Sequence, residues 1–415
     1  MPLRGSLGNV LSGCSMGRTA SLVLLSPAGE LLGMFPPLEL ELPYWQESAD
    51  LVAEVEARFS VRVVVLRLLH GNQPHSGGGE VAYLGELSAG TPGRLLPVPE
   101  SLVELARGEN AKRMPWAELG GPARSLDWAR AALGWSELSA VQQRTWNLST
   151  LWRLERSTFP EAPVWLKQVP AFMSYEGRVL RWLNRAAPSA APTLLAGDDE
   201  GRSLLAHVEG EDLYGAPAAM RELILRQSQV IQSLGAAAVD ELLLLGVPDL
   251  RGEKRAEDVS RKLLAWSRDY PRLEDLLRYH EQQLERLEEC GLPATLVHSD
   301  NHPGNARGSV HGVRLLDWGE SFVGNPVTDI CGLLAGLSEA EAAPLLASWC
   351  ASWKRLAPRS QPERALELAP FIAAMRGAAT YAYFLQEIEP SEWPYHFDDV
   401  PRCLQAAEAL WRARL

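Results

Sequence analysis

Apolar positions in the first hundred residues recur at two different periods. Ala20–Leu25, Val61–Leu69 (VRVVVLRLL) and Val81–Ser88 (VAYLGELS) are short apolar-rich runs bounded by turn residues, which predicts strands. Between the first two, Leu51, Val52, Val55 and Phe59 repeat at helical spacing and predict a helix over Ser48–Phe59. His70–Glu80 (HGNQPHSGGGE) reads as a loop inside this unit, and Ala89–Pro99 (AGTPGRLLPVP) closes it. Glu100–Gly108 then reads as a short helix and Met114–Gly121 as a connector.

From Trp128 the pattern changes. Val141–Thr145, Thr150–Arg156 and Pro163–Val169 alternate as strands, Glu176–Asn184 carries Val179, Leu180 and Leu183 on one helical face, and Pro192–Ala196 and Arg202–Val208 return to strand. After Gly215 the pattern is almost wholly helical, clearest over Met220–Leu234, Val259–Trp266 and Arg272–Glu289. One β-like interruption, Thr295–Trp318, sits among these helices. The expected organisation is an N-terminal α+β domain over 1–112, a small sheet with a leading helix over 113–208, and a helical region over 209–415.

Composition narrows the possibilities. With 46% hydrophobic and 22% charged residues the chain can fill real cores, which excludes a disordered or fibrous protein. The formal charge of −12, without any Lys/Arg run, argues against nucleic acid and anionic membranes as partners and favours neutral or cationic substrates. Five scattered cysteines (Cys14, Cys290, Cys331, Cys350, Cys403) contain no C-x-x-C pair, so neither a disulfide framework nor a zinc site is expected. The N-terminal MPLRGSLGNVLSGCSMGR lacks the apolar core of a leader, and no apolar run approaches a membrane span. A cytoplasmic protein is the expectation.

Candidate chemistry lies inside the β-like interruption, in LVHSDNHPGN (296–305) and VRLLDWGE (313–320). Pro303-Gly304 bends the chain, so that the Asn305 amide oxygen can turn back towards Asp300. A hairpin around Gly308 and Gly312 would return Asp317 beside Asn305. One Asp, one Asn and a second Asp on adjacent strand ends make a hard-oxygen site suited to Mg²⁺. The competing reading is that these residues merely satisfy turns.

HSDNHPGN and LDW resemble the HGDxHPGN loop and the IDW metal motif of the aminoglycoside phosphotransferase/choline kinase family of small-molecule kinases. The resemblance covers the chain from about Trp128 onward. It implies a bilobal, protein-kinase-like α+β fold, with a β-rich N-lobe and a helical C-lobe, behind a separate N-terminal domain. It further implies that Asp300 accepts the proton of a substrate hydroxyl, and that Asn305 and Asp317 hold Mg²⁺ against the phosphates of ATP. Ser299 replaces the usual glycine, a change that neighbouring kinase families tolerate. Lys167, mid-strand in VWLKQV, and Glu176, opening the next helix, stand where the family clamps the nucleotide phosphates. No Gly-rich loop is present; the turn TWNLST (145–150) would offer backbone amides with the Ser149 or Thr150 hydroxyls. Leu204–Val208 would be the hinge, with the Ala206 and Val208 backbones meeting adenine. His298 and Asp329 are expected to brace the loop.

Two further readings concern the ends of the chain. The first domain resembles a Nudix fold in its strand–loop–helix–strand rhythm, but on that frame AEVEARFS (53–60) keeps only Glu54 of the metal-binding carboxylates, so the hydrolase would be dead. Near the C-terminus, SEWPYHFDD (391–399) mixes three aromatics with three carboxylates. Either it packs as an interhelical loop, or Glu392 and Asp398 join Glu320 in contacting an amino-bearing acceptor such as an amino sugar, aminoglycoside or amino alcohol; Glu320 itself would face either substrate or solvent. A catalytically silent kinase-fold binding or regulatory protein is the alternative function, and the intact Lys167, Glu176, Asp300, Asn305 and Asp317 argue against it.

Overall fold

The computed structural model of the 415-residue chain describes residues 17–72, 77–156 and 162–414. Cys14, most of the N-terminal stretch inspected for a leader, and the centre of the His70–Glu80 loop lie outside them. Two five-stranded sheets and a mainly helical body make up the described chain. The first sheet contains β1 (Arg18–Leu25), β2 (Leu31–Met34), β3 (Leu38–Leu40), β4 (Arg62–Gly71) and β5 (Gly79–Ala89), in the order β2-β1-β5-β4 with β3 also on β1. β1 and β5 run parallel, a pairing made possible by the helix α1 (Ala49–Phe59) and the intervening strand. The period-two alternation of β1 divides two cores: Leu22 and Leu24 pack with Leu51 and Val55 of α1, while Val23 and Leu25 pack with Ala106 of α2 (Glu100–Arg107) on the opposite face.

A helix, α3 (Gly121–Leu133), leads into the second sheet: β6 (Ser139–Thr145), β7 (Thr150–Glu155), β8 (Val164–Gln168), β9 (Leu194–Gly197) and β10 (Arg202–Ala206), ordered β6-β7-β8-β10-β9. The helix α4 (Glu176–Ala186) joins β8 to β9 and buries Val179, Leu180 and Leu183, the face that its spacing predicts. Gln142 ties the two sheets together. Its buried amide accepts from Val65 N at 2.9 Å and donates to Val65 O at 2.8 Å, filling a gap where the β4–β5 register shifts.

The remainder is mainly helical: α5 (Ala218–Ala236), α6 (Val239–Leu244), α7 (Glu253–Leu263), α8 (Leu273–Glu288), α9 (Asp329–Leu334), α10 (Glu339–Leu356), α11 (Pro362–Glu387) and α12 (Asp399–Arg412). Short strands interrupt it: β11 (Glu211–Asp212), β12 (Thr295–Val297), β13 (Ala306–Ser309), β14 (Gly312–Leu315) and β15 (Phe322–Gly324). β13 and β14 form the expected hairpin, extended by β11, and β12 pairs with β15, a strand too short for its pattern to reveal. Among the described residues no helix is long and apolar enough to cross a membrane, and Cys290, Cys331, Cys350 and Cys403 are free thiols.

The segment after α11 corrects one reading of the sequence. Pro390–Tyr395 forms a 3-10 turn that packs on β4. Tyr395 is buried in the core of the first sheet, its ring 6.1 Å from that of Trp45. Glu392 is likewise buried, accepting from Leu68 N at 3.4 Å, beside Glu389, which meets Arg67 at 3.6 Å and Arg113 at 3.1 Å. Glu392 is therefore an internal carboxyl between the first sheet and the C-terminal segment, and its long-range packing removes it from any acceptor site.

Burial, with the adjacent Glu389 charge, pushes the Glu392 carboxyl up to about 8. The folded chain therefore keeps a proton that the unfolded chain releases near pH 4.5, so this group's stabilisation is complete below that pH and is lost as pH rises through about 8. Glu392→Gln keeps the shape and removes the ionisation. Tm measured from pH 5 to 9 should decline in the wild type and decline much less in the variant; parallel curves would show that the alkaline loss has another source.

Candidate active site

β12 delivers the chain to the loop 298–305 at the centre of the molecule, and a buried carboxylate fixes its first residues. Asp329, at the start of α9, accepts from His298 N at 3.0 Å, Ser299 N at 2.7 Å and Gln232 Nε2 at 3.0 Å. Burial raises the Asp329 carboxyl, with His298 and the two loop amides opposing it. His298 spans the site differently: its Nε2 lies 2.8 Å from Leu316 O, and its ring rests 4.4 Å from that of Trp318. Ser299 occupies the left-handed region at φ 83°. A glycine would sit there without strain, whereas serine carries a penalty of about 1–2 kcal/mol that the paired amides oppose.

The Pro-Gly bend places Asn305 as its spacing suggests, but with the amide reversed. Nδ2, not the oxygen, faces Asp300, donating to its main-chain O at 3.0 Å and to Oδ2 at 2.7 Å. The cause is elementary: an ionised carboxylate only accepts, so the amide must present its N–H groups. That leaves the Asn305 oxygen as the ligand this side chain can offer elsewhere. His302 completes the arrangement. Its Nδ1 accepts from Gly304 N at 3.0 Å, so the proton resides on Nε2, 3.4 Å from Asp300 Oδ2. A Cβ on Gly304 would come within 2.4 Å of the Tyr214 ring, so a larger residue at this bend would have to push that ring aside. Burial works against the Asp300 charge, but His302, His298 and the Asn305 amide outweigh it and hold the carboxyl well below its ordinary range.

The β13–β14 hairpin returns the chain to Asp317, and Leu316 N donates to Asn305 O at 2.8 Å, locking the two ends side by side. Asp317 also adopts a left-handed backbone, φ 60°. Its carboxylate meets Lys167 Nζ of β8 at 2.8 Å, and the same ammonium meets Glu176 Oε1 of α4 at 2.7 Å. Glu176 Oε1 in turn accepts from Trp318 N at 3.0 Å. Burial alone would lower the lysine's affinity for its proton; Asp317 and Glu176 together reverse that and keep it charged. Glu176 is sealed, while the Asp317 side chain retains 56% exposure, so Asp317 is the carboxylate open to the cleft.

That cleft, a cavity of about 360 Å³ between the second sheet and the hairpin, is lined by Lys167, Asp317, Asn305, Ser149, Ala206 and Val208, with Leu151, Leu205 and Leu316 as apolar walls. At the hinge, Ala206 N donates to Thr193 O at 2.9 Å and Val208 O accepts from Arg307 Nε at 2.7 Å, so the groups outside those bonds are the Ala206 carbonyl and the Val208 amide. Thr150 differs from expectation. It is buried, and its hydroxyl is turned to Arg144 O at 3.3 Å, because the odd position of a strand after a tight turn points inward. The Ser149 hydroxyl accepts from Trp146 Nε1 at 2.9 Å and keeps its own proton for the cleft.

Glu320 lies on the far side of Asp317, lining a second cavity and facing Arg376 at 3.6 Å. Burial and the Asp300 charge push its carboxyl up to about 8, against the pull of Arg376. Asp398 precedes α12 and, like Glu392, lines neither cavity. Glu54, the surviving carboxylate of the Nudix frame, pairs with Arg58 on its own helix, and no group of three His, Cys, Asp or Glu among the described residues is arranged to hold a metal. Sequence reasoning missed Arg144, paired with Glu47 beside the cleft, and Arg376. A signal existed for Arg376: it is the sole charged residue between Glu367 and Glu387.

Comparison with known proteins agrees with this architecture. Among solved structures, an ethanolamine kinase from Plasmodium vivax matches 74% of this chain and 93% of its own at 12% identity, with a TM-score of 0.53. A GDP complex of an aminoglycoside 2'-phosphotransferase-IIIa matches 70% and 97% at 12% identity and 0.51. The GDP and kanamycin complex of APH(2")-IIia matches 70% and 99% at 14% identity and 0.50. At such identities the likeness is one of fold, the two-lobed α+β fold expected from the catalytic loop. No curated protein sequence matches the chain. The family model described as the phosphotransferase enzyme family matches residues 158–366, the span that contains Lys167, Glu176, Asp300, Asn305 and Asp317. The chain belongs to that family and is a small-molecule phosphotransferase of kinase-like fold.

Proposed function

We propose that the protein transfers the γ-phosphoryl group of ATP to a hydroxyl of a small molecule. The observation that carries this reading is the convergence of Lys167, Glu176, Asp317 and Asn305 on one cleft, with Asp300 held against Asn305. In the proposed reaction the bond from the γ-phosphorus to the ADP oxygen breaks, a bond from the acceptor oxygen to phosphorus forms, and the hydroxyl proton passes to Asp300. Asp300 is ionised at neutral pH, as an acceptor for that proton must be. Its low proton affinity suits a loose transition state, where the base chiefly orients the hydroxyl until bond formation has made the proton acidic.

The remaining roles follow from charge and position. Lys167 would pair with the α- and β-phosphates, held in place by Glu176. The Ala206 carbonyl and Val208 amide would meet the adenine edge between the apolar walls, and the Ser149 hydroxyl would reach the phosphates. Asn305 Oδ1 and the Asp317 carboxylate are the oxygens suited to Mg²⁺. This donor set fits a cation that takes few protein ligands and completes its shell with phosphate oxygens and water. Bound there, the ion would neutralise the charge developing on the transferred group. An amine-bearing acceptor is less well supported: of the three carboxylates expected to greet it, Glu392 and Asp398 line neither of the two cavities described, and Glu320 already faces Arg376.

The direct test is ADP release from Mg²⁺-ATP, measured alone and with a panel of hydroxyl compounds. Asp300→Ala should lower kcat by about 10²–10⁴-fold and leave the affinity for ATP near that of the wild type. Equal turnover in both proteins would remove the kinase reading.

Calorimetry separates metal from phosphate contacts. Asp317→Asn should weaken Mg²⁺-ATP much more than metal-free ATP, because it removes the charge opposite the cation. Lys167→Ala should weaken both, since its partner is the nucleotide itself. The same loss for Asp317→Asn with and without Mg²⁺ would show that Asp317 does not face the metal.

A further inference from the structure

The cavity beyond Glu320, about 230 Å³ between α7, α11 and the residues following Asp317, has an unbalanced lining. Four cations, Arg255, Arg261, Lys262 and Arg376, face two carboxylates, Asp258 and Glu320. Asp258 is already shared by Arg261 at 2.6 Å and Lys262 at 2.7 Å. Glu320 faces Arg376 at 3.6 Å, and Arg376 also donates to Ser299 O at 3.2 Å, one residue from Asp300. Arg255 is left over.

Arg255 is 3% exposed, and all three of its guanidinium nitrogens are buried without a hydrogen-bond partner. It lies over the Phe322 ring at 5.5 Å, with Arg376 over the same ring at 5.2 Å. A close neighbour, His280, is neutral: burial and the Arg255 charge push it down to about 3. Burial and Arg376 lower Arg255 itself to about 9, which leaves it charged near neutral pH. A buried guanidinium is costly unless paired, and its planar fork matches an oxyanion. No side chain comes within hydrogen-bonding distance of this fork: Glu288, Asp329 and Asp258 favour its charge only from further away, and Arg255 forms part of the cavity wall.

We infer that this cavity takes the phosphoryl acceptor, and that the acceptor is a hydroxyl compound carrying an oxyanion, a carboxylate or a phosphate, bound by Arg255 and flanked by Arg376. The inference rests on the kinase reading for the word acceptor, while the anion site stands on its own geometry. It also runs against the chain's overall charge: a net-negative protein has gathered cations at a cavity that reaches the loop of the proposed base through Arg376 and Ser299. An ammonium group there would meet the cations of Arg255 and Arg376 before any free carboxylate.

The test uses the full chain with Mg²⁺-ADP at saturation, so that the nucleotide cleft is filled. Sodium sulfate is titrated first, then gluconate, glucose 6-phosphate, glucose and glucosamine. Sulfate should bind the wild type, and Arg255→Met, which keeps an unbranched side chain, should weaken it at least tenfold. Arg255→Lys retains the charge without the fork and should weaken it less; it carries the comparison if the methionine variant does not fold. The two anionic compounds should bind at least tenfold more tightly than glucose or glucosamine, and their ranking tells carboxylate from phosphate. Equal sulfate affinity in the wild type and both variants, or tighter binding of glucosamine than of either anion, would overturn the inference. Turnover separates the two readings: faster ADP release with glucosamine than with the anions would refute the anionic acceptor and leave the kinase standing. Absence of ADP release under every condition, with Arg255-dependent sulfate binding intact, would refute the kinase and leave the anion site standing.

Discussion

A single ammonium group holds the cleft together. Lys167 comes from a strand of the second sheet, Glu176 from the helix that follows it, and Asp317 from the far side of the cleft, yet both carboxylates lie within 2.8 Å of one Nζ. Removing the lysine would leave two like charges facing each other in a half-buried space, so neither lobe's local geometry is independent of the other. The balance of the trio is also informative. One cation between two anions leaves a negative excess on the exposed member, Asp317, with ionised Asp300 nearby. That excess favours positive charge beside Asp317, and the Asn305 N–H groups are committed to Asp300, which leaves its amide oxygen as an acceptor.

The β6–β7 turn over the cleft is firmly held. Trp116 Nε1 donates to Trp146 O at 3.0 Å, Asn147 Nδ2 donates to Glu392 O at 3.3 Å, and His396 Nε2 lies 3.2 Å from Asn147 Oδ1. Tyr395 and His396 both pack against the Trp146 ring. Glycines would give such a turn freedom; here tryptophan, asparagine and packed aromatics take it away. Glu47, just before α1 in the N-terminal unit, pairs with Arg144 at the base of the same turn. The N-terminal unit thus acts on the cleft through its rim, by limiting how far the β6–β7 turn can move.

What could be read in advance follows from how local each feature is. Asp300, Asn305 and Asp317 sit on one bend and one hairpin, so their meeting is written in a short stretch of chain; Lys167 and Glu176 are neighbours across one strand-to-helix connection. The reversed Asn305 amide was also accessible, since a carboxylate cannot donate, but spacing alone says nothing about which end of an amide is needed. Glu392 was beyond reach. Its partner is the Leu68 amide, and no periodicity in SEWPYHFDD announces that this stretch returns to the first sheet. Arg255 was hidden for the opposite reason: in a helix as charged as EKRAEDVSRKL one more arginine looks solvated, and only the docking of α7 on α11 buries it. The strand Phe322–Gly324 is too short to carry a period at all.

Tyr395 has a consequence for the order in which this molecule comes into being. The first sheet ends at Ala89, yet one of its buried aromatics arrives roughly 300 residues later in the chain. At ~5–20 residues per second of synthesis that delay is about 15–60 s. For most of its time on the ribosome the nascent sheet carries a slot beside Trp45 and Tyr83 with nothing to fill it. A segment made near the end of synthesis therefore completes the first sheet to be made, so that the two ends of the chain mature together.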